Sequence, residues 1–273
     1  MPLRRARERT VSGIWPRRRD DFIPAGAVSR GAELTISPAI AGRVQAAAIA
    51  SLTVIHVLVQ IAYFGFGRDH LMGLTPLFDL NQENNIPTWY SGIVLFTTAG
   101  ALASVAAATY QAGAAFARHW AVLAMIFLYL SLDELTRIHE QWGPLLQQPL
   151  GGLRDPHVLG GALRNLWIIP AFLLAAVVGL AYIRFLLHLP SRTGGLFVAS
   201  GVAFVFATIG MEMLGASLSA AGGRFTPRFM VVATIEEVVE MASIAMFLCA
   251  VLEYAGRTFG TVHCRFRPAS SRL

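Results

Sequence analysis

The sequence contains no lysine, only two cysteines and few charged residues for its length. Charged residues make up 14% of the 273 positions, whereas a soluble domain of this size carries about 25%. The two cysteines, Cys249 and Cys264, cannot build a disulfide framework or a cysteine-based metal motif. Together with the 55% of hydrophobic residues, the low charge fraction argues against an ordinary soluble domain and indicates a chain that uses a lipid bilayer as its solvent.

The sequence also lacks the motifs of several large enzyme classes. It has no P-loop, no glycine-rich dinucleotide fingerprint after a strand, no nucleophile elbow and no His-Glu-x-x-His motif. The formal net charge of +6 comes from arginines that lie mostly in the two ends and in alternate loops. This distribution is typical of membrane topology and predicts no nucleic-acid partner.

Six long apolar segments predict an all-α, polytopic membrane bundle of six transmembrane helices. Each segment is close to the roughly 20 residues that an α-helix needs to cross the hydrocarbon core. Helices are expected because backbone groups in lipid must be hydrogen-bonded within their own segment. The predicted spans are 44–66, 88–112, 118–140, 162–187, 194–220 and 228–254.

The arginines also predict the orientation. With the N-terminus placed inside, sixteen arginines fall on the inner side and five on the outer side, so both termini should be cytoplasmic. The expected organisation is a disordered basic cytoplasmic tail over 1–43, the six-helix domain over 44–254 and a basic cytoplasmic tail over 255–273. The expected surroundings are a lipid bilayer. A six-helix pore is short for an independent transporter, which leaves a homo-oligomer open.

Carboxylates inside the predicted spans are the main functional signal. An ionisable side chain at the centre of a membrane helix costs roughly 2.5–3.5 kcal/mol on insertion scales, so it persists where it pairs, titrates or binds something. Three spans carry such residues in their outer halves, at overlapping depth. They are Asp133, Glu134 and Glu140 on the third span, Glu212 on the fifth, and Glu236, Glu237 and Glu240 on the sixth.

Charge balance turns these acids into a candidate site. Arg137 and His139 are the only nearby basic residues, and seven ionised carboxylates cannot share a low-dielectric site with so few positive partners. Some must be protonated, or a cation must be bound. The proton- or cation-binding candidates are Glu212, Glu236, Glu240, Glu237 and Asp133, with Arg137 as the charge partner. The structural alternative is an Asp133–Arg137 pair at i,i+4, with the glutamates only hydrogen-bonding neighbouring helices.

Glu134, His139 and Glu140 form a separate candidate for a divalent metal ion. The pattern does not match a ferritin-like dimetal centre, because His139 follows Glu134 by five residues rather than three. An oxygen-rich site suits a hard cation. His56, alone on an apolar segment, is interpreted as a packing residue. The polar loop 78–90 is interpreted as a series of turns. It is not a calcium-binding loop, because Asn84 and Tyr90 occupy the positions where such a loop needs Gly and Glu.

Two stretches resemble a set of uncharacterised bacterial multi-pass membrane proteins. They are Phe-Asp-Leu-Asn at 78–81 with Ile-Pro-Thr-Trp-Tyr-Ser at 86–91, and Tyr-Leu-Ser-Leu-Asp-Glu at 129–134 with Ile-His-Glu at 138–140. The resemblance implies a bacterial inner-membrane protein. It implies no activity, so no residue role follows from it.

Three functions remain open from the sequence. The first is a small transporter or permease component that handles protons or cations at the carboxylates. The second is a membrane enzyme that acts on a lipid or quinone with a metal held by the same acids and His139. The third is a structural or assembly subunit without a site. Replacement of His139 separates the first two, since only the enzyme needs its nitrogen.

Overall fold

The computed structural model describes residues 37–67, 73–224 and 226–260, and every regular element in these ranges is a helix. One π-helical turn, Phe206–Met211, joins α7 to α8 without a break. The α-helices of the described ranges are α1 Pro38–Phe66, α2 Leu74–Phe78, α3 Ile86–Gln111, α4 Ala117–Thr136, α5 Ile138–Leu150, α6 Ile168–His188, α7 Ser191–Val205, α8 Glu212–Gly222 and α9 Pro227–Phe259.

Five of these helical segments are long and apolar enough to cross a membrane. They are α1, α3, α4, α6 and the continuous α7–α8 segment Ser191–Gly222. Large apolar side chains on α6, such as Leu173, Val177 and Leu180, remain exposed, as expected of a surface that faces lipid. The prediction of an all-helical membrane protein is confirmed to this extent.

Helix α9 lies at the centre of the helix packing. It is 33 residues long and packs against α1, α3, α7 and α8. Met241, Ile244, Leu248 and Val251 of α9 are almost fully buried between these neighbours. Because protein surrounds this helix on several sides, its polar side chains can face other helices rather than lipid.

Side-chain caps fix where two of the helices begin. The Asn85 side chain accepts a hydrogen bond of 3.1 Å from the Thr88 backbone N–H at the start of α3. Thr226 accepts one of 3.3 Å from the Phe229 N–H, directly before Pro227 at the first position of α9. Such caps satisfy backbone donors that have no partner inside the helix.

An aromatic cluster closes one end of the bundle between α4, α6, α7 and α9. The rings of Trp120 and Phe185 meet edge to face at 4.9 Å, and those of Phe197 and Phe247 lie 4.3 Å apart. The Tyr182 hydroxyl donates a 2.9 Å hydrogen bond to the His119 carbonyl. Helices α4 and α6 are therefore held together at this end, which the arginine distribution assigns to the inner side.

The third predicted span, 118–140, is not one helix. Arg137 adopts a left-handed conformation with φ of +58°, which ends α4 at Thr136 and begins α5 at Ile138. The Arg137 N–H still donates to the Asp133 carbonyl at 2.6 Å. The break separates Asp133 and Glu134, at the end of the span, from His139 and Glu140, on a helix outside it.

The other boundaries differ by a few residues. Helix α1 begins at Pro38, inside the segment that the sequence assigns to the N-terminal tail, and α9 continues to Phe259, into the predicted C-terminal tail. The fourth span begins at Ile168 rather than 162, because short turns occupy the residues before it. The remainder of the two predicted tails, 1–36 and 261–273, lies outside the described residues.

Candidate functional site

Five glutamates from three helices form what we call the glutamate cluster: Glu134 of α4, Glu212 of α8, and Glu236, Glu237 and Glu240 of α9. The carboxyl groups of Glu212 and Glu236 lie near enough to each other for their charges to interact. Glu237 and Glu240 lie deep among protein atoms, close enough to Glu134 and Glu236 for their charges to interact.

The π-helical turn aims Glu212 at this cluster. Glu212 follows the turn Phe206–Met211 directly and is the first residue of α8. A π turn inserts about one extra residue into the helix and rotates everything after it, and such turns are frequent at functional sites. Asn165, in the connection before α6, donates its side-chain N–H to the Glu212 carboxylate.

None of the five glutamates forms an ion pair with an arginine or histidine of the described residues. Arg137, expected as the charge partner, instead bonds Glu83 and Glu140. The predicted Asp133–Arg137 pair at i,i+4 is not formed either. Because ionised carboxylates repel one another strongly at low dielectric, the cluster needs protons or a cation to neutralise part of its charge.

The cluster borders a large crevice of about 1860 Å³. One wall is the face of α4 that includes Val122, Met125 and Ile126, and the other is formed by α6 and α7. Glu134, Glu212, Glu236, Glu237 and Glu240 all line the crevice. Each of them is half-buried by surface exposure, so the surface they retain faces this space.

Asp133 belongs to a different contact, at the junction of α4 and α5. Its carboxylate accepts hydrogen bonds from the His139 backbone N–H at 2.6 Å and from His139 Nδ1 at 3.0 Å. The His139 ring also lies against Trp167, with 4.7 Å between ring centres. Asp133 thus caps α5 and orients the histidine, and it lies close enough to Glu134 and Glu240 for their charges to interact.

Titration at this junction follows from its charges. Burial alone would lower the pKa of His139, but the hydrogen bond and negative charge of Asp133 outweigh it, with Glu83 and Glu140 adding to them, and the pKa is raised. Burial also raises the pKa of Glu83, and the Glu140 charge adds to this shift, while Arg137 and His139 oppose it. The rim of the crevice at the α4–α5 junction therefore carries both a cationic and a protonatable group.

A metal ion could be shared at the rim only by Glu83, His139 and Glu140, as far as the described residues allow. Their ligand atoms lie within 4.8 Å of one another. Glu134, which the sequence groups with His139 and Glu140, is not part of this set. Since Arg137 already bonds both Glu83 and Glu140, a metal would have to displace a guanidinium. These residues therefore resemble a salt-bridge network more than a metal centre.

The two weaker sequence candidates are structural. His56 is fully buried, accepts from the Leu80 N–H at Nδ1 (3.0 Å) and contacts Thr234 Oγ1 through Nε2 (2.9 Å). This geometry holds it as a neutral packing residue, as predicted. In the polar loop, the Asp79 carboxylate accepts from the side chains of Gln60 and Gln82 and from the Asn81 N–H, so its oxygens are engaged in turns.

Sequence reasoning missed Asn165 and Glu83. Asn165 lies in a segment that was expected to be the beginning of a span, and Glu83 lies in a loop that was interpreted as a series of turns. An asparagine beside Arg164 at the end of a predicted span is only a weak sequence signal for a polar contact. No local pattern indicates that Glu83 meets Arg137.

Comparison with known proteins gives a family and no activity. A protein-family model described as "Domain of unknown function (DUF8692)" matches residues 46–254. No curated protein and no solved structure matches the chain.

Proposed function

The chain belongs to the DUF8692 family, and from the site alone we propose that it is a proton- or cation-handling membrane protein, a small transporter or permease component whose glutamate cluster is the binding site. Glu212, Glu236 and Glu240 are the central groups, and Glu134 and Glu237 complete the cluster. Asp133, Arg137 and His139 organise the rim above it. The proposed location is a bacterial inner membrane.

The proposed topology has six spans with both termini in the cytoplasm. In this topology the five apolar helices and α9 cross in alternate directions, with α9 as the sixth crossing. Its packing against α1, α3, α7 and α8 supports this, because a central helix can carry glutamates that a lipid-facing helix could not. The excess of arginine in the predicted inner segments supports the orientation.

One observation carries the function: five glutamates from three helices line one crevice, and none of them pairs with an arginine or histidine of the described residues. Ionised carboxylates grouped in this way repel one another, so some of them hold a proton or share a cation. A site that keeps protons in this way, and faces a crevice rather than a packed core, is suited to release them when a cation arrives or when the pH changes.

Geometry favours protons over a resident metal in the glutamate cluster. Its carboxylate oxygens are not among the described groups that converge within 4.8 Å for a shared ion. The enzyme alternative therefore rests on Glu83, His139 and Glu140, where Arg137 competes with a metal. The structural alternative has to explain why five glutamates line an open crevice when, among the described residues, only Glu212 accepts from a side-chain donor, Asn165.

Infrared difference spectroscopy on the protein in liposomes tests the proposal. Wild type should show the C=O band of protonated carboxyl groups, and this band should change when the pH is raised. Glu236→Gln should remove part of that signal without unfolding the protein. Glu253→Gln is the matched control, since Glu253 lies on the same helix but pairs with Arg192 (3.1 Å) and Arg257 (2.6 Å).

The outcomes separate the three functions. A carboxyl signal lost in Glu236→Gln and kept in Glu253→Gln supports proton handling. Absence of any protonated carboxyl over the whole pH range in which the protein stays folded refutes it. A stoichiometric metal found by mass spectrometry, lost in His139→Gln, would instead favour the enzyme. A protein in which all five glutamates tolerate amide replacement without spectral change would be a structural subunit.

A further inference from the structure

The crevice beside the glutamate cluster has an apolar body that opens between two helices. At the aromatic cluster α4 and α6 touch, through the Tyr182–His119 hydrogen bond and the Trp120–Phe185 contact. Beyond it they separate, and apolar side chains of both helices line the gap. At Gly179 of α6 an added Cβ would meet no atom within 4 Å, so the space is empty along this wall.

The gap faces the region where lipid chains would lie. Met125 of α4 is 67% exposed and Phe172 of α6 is 57% exposed, and both line the crevice. The crevice, at about 1860 Å³, exceeds the roughly 300–1,000 Å³ of an enclosed small-molecule pocket. A large apolar space with a side opening between membrane helices is accessible to molecules dissolved in the bilayer.

The charged side chains of the crevice lie away from its apolar inner end. The glutamate cluster follows that end, and Arg154, Arg164 and Arg224 line the mouth together with the acids of the rim, Glu83, Asp133 and Glu140. None of these three arginines forms an ion pair with an acid of the described residues. From the inner end outward, the crevice is therefore apolar, then negative, then of mixed charge.

We propose that this crevice binds an amphiphilic organic cation, which enters from the lipid between α4 and α6 and places its positive charge against Glu134, Glu237 and Glu240. The apolar part of the cation lies along the α4 and α6 walls. The side chains of Glu237 and Glu240 are the main support for this ligand. Both lie deep among protein atoms and line the crevice. Neither carboxylate has a hydrogen-bond or ion-pair partner among the described residues.

The order of the charges selects this ligand over a common phospholipid. In a phospholipid the phosphate lies next to the apolar chains, and here that position is occupied by glutamates, which would repel it. A molecule whose amine or other cationic group directly adjoins its apolar part meets the opposite charge at the right depth. The side opening between α4 and α6, lined by Met125 and Phe172, gives this cation a route from the lipid.

This inference rests on the proposed proton site and gives it an exchange partner. The cation can bind only when the carboxylates facing it are ionised, so each positive charge that enters displaces about one proton from the cluster. Binding of the cation and release of the proton are then thermodynamically coupled. The carboxyl O–H bond breaks, water accepts the proton, and the positive charge of the bound cation replaces that of the proton, so the net charge of the site stays constant.

A pair of probes of equal shape and opposite charge tests the ligand class. Tetraphenylphosphonium and tetraphenylborate are measured for binding to the protein in lipid nanodiscs, with empty nanodiscs subtracted, and proton release is followed in weak buffer. The variants are Glu240→Gln and Glu237→Gln for the charge, and Gly179→Phe for the apolar wall. Glu253→Gln is the control on the same helix, away from the crevice.

We expect tetraphenylphosphonium to bind with release of protons and tetraphenylborate not to bind. Glu240→Gln and Gly179→Phe should each weaken phosphonium binding at least tenfold, and Glu253→Gln should leave it unchanged. Equal binding of both probes, or unchanged binding in Glu240→Gln, overturns the inference. If the infrared carboxyl signal persists while phosphonium binding fails, only the ligand class is refuted. If both are absent, the proposed function is refuted with it.

Discussion

Replacement of Asp133 with alanine should detach helix α5 from the end of α4. The Asp133 carboxylate holds both the backbone N–H of His139, at 2.6 Å, and its ring Nδ1, at 3.0 Å. Without it, the turn at Arg137 keeps two backbone hydrogen bonds, from the Arg137 N–H to the carbonyl of residue 133 and from the Glu140 N–H to the Arg137 carbonyl. Helix α5 has no buried residue of its own, so its first turn then depends on these bonds, on the exposed Arg137–Glu140 ion pair and on the His139–Trp167 contact.

The expected magnitude follows from these two hydrogen bonds. A hydrogen bond to a charged group contributes about 1.5–3 kcal/mol. The side chains of Asp133 and His139 are 15% and 27% exposed, so solvent screens them in part and the low end applies. We expect a loss of about 2 kcal/mol for Asp133→Ala, which is roughly a 30-fold increase in opening of the first turn. Asp133→Asn keeps one acceptor oxygen and should lose about 1 kcal/mol.

The effect should depend on pH with a defined sign. Burial lowers the pKa of His139, but Asp133 outweighs it, so the folded-state pKa is raised. A group with a raised folded-state pKa stabilises the fold fully below its unfolded value, about 6.5 for histidine, and this contribution is lost as the pH rises through the folded value. The difference between wild type and Asp133→Ala should therefore be largest at mildly acidic pH and shrink in alkaline solution.

Hydrogen–deuterium exchange of the peptide that covers 138–150, corrected for intrinsic exchange at each pH, measures this directly. Glu253→Gln is the control, since it alters an ion pair on α9 away from the junction. Unchanged protection of α5 in Asp133→Ala would refute the capping role. An equal loss at every pH would refute the histidine charge as its cause.

Three further predictions concern other parts of the molecule. Trp120→Ala should lower the free energy of unfolding by about 3–5 kcal/mol, because this ring is 1% exposed and contacts Phe185. A thermal melt in detergent measures this loss of stability. Thr226→Ala should cost about 0.5–2 kcal/mol by removing the cap of α9, visible as faster amide exchange of the first α9 turn alone. His139→Gln should leave the infrared carboxyl signal of the glutamate cluster in place, and its loss would contradict a cluster that works without the rim.

The carboxylates illustrate how far the sequence predicts the site. Glu212, Glu236, Glu237 and Glu240 can be selected from the sequence alone, because an acid inside an apolar segment is a local anomaly with a known energetic cost. Asp133 and Glu134 are adjacent and look equivalent in the sequence, yet the structure gives them different partners. A change of one residue along a helix rotates the side chain by about 100°, so neighbours face different groups.

Arg137 shows why the rim could not be predicted. An i,i+4 spacing to Asp133 predicts an intrahelical pair as long as the helix continues. A single left-handed residue ends the helix at that point, and the guanidinium turns to Glu83, more than fifty positions earlier in the chain. A backbone reversal at a non-glycine residue leaves no composition signal.

The membrane-spanning, all-helical character of this protein and the presence of carboxylates within it follow from the sequence by itself. These are local properties: hydropathy and helix formation depend on some twenty consecutive residues, and so does the cost of burying a charge there. The partners of those carboxylates were decided only by the tertiary structure. The π turn before Glu212 and the break at Arg137 redirect the side chains that follow them, and the separation of α4 from α6 creates the crevice, because helix rotation and crossing depend on the packing of the whole bundle.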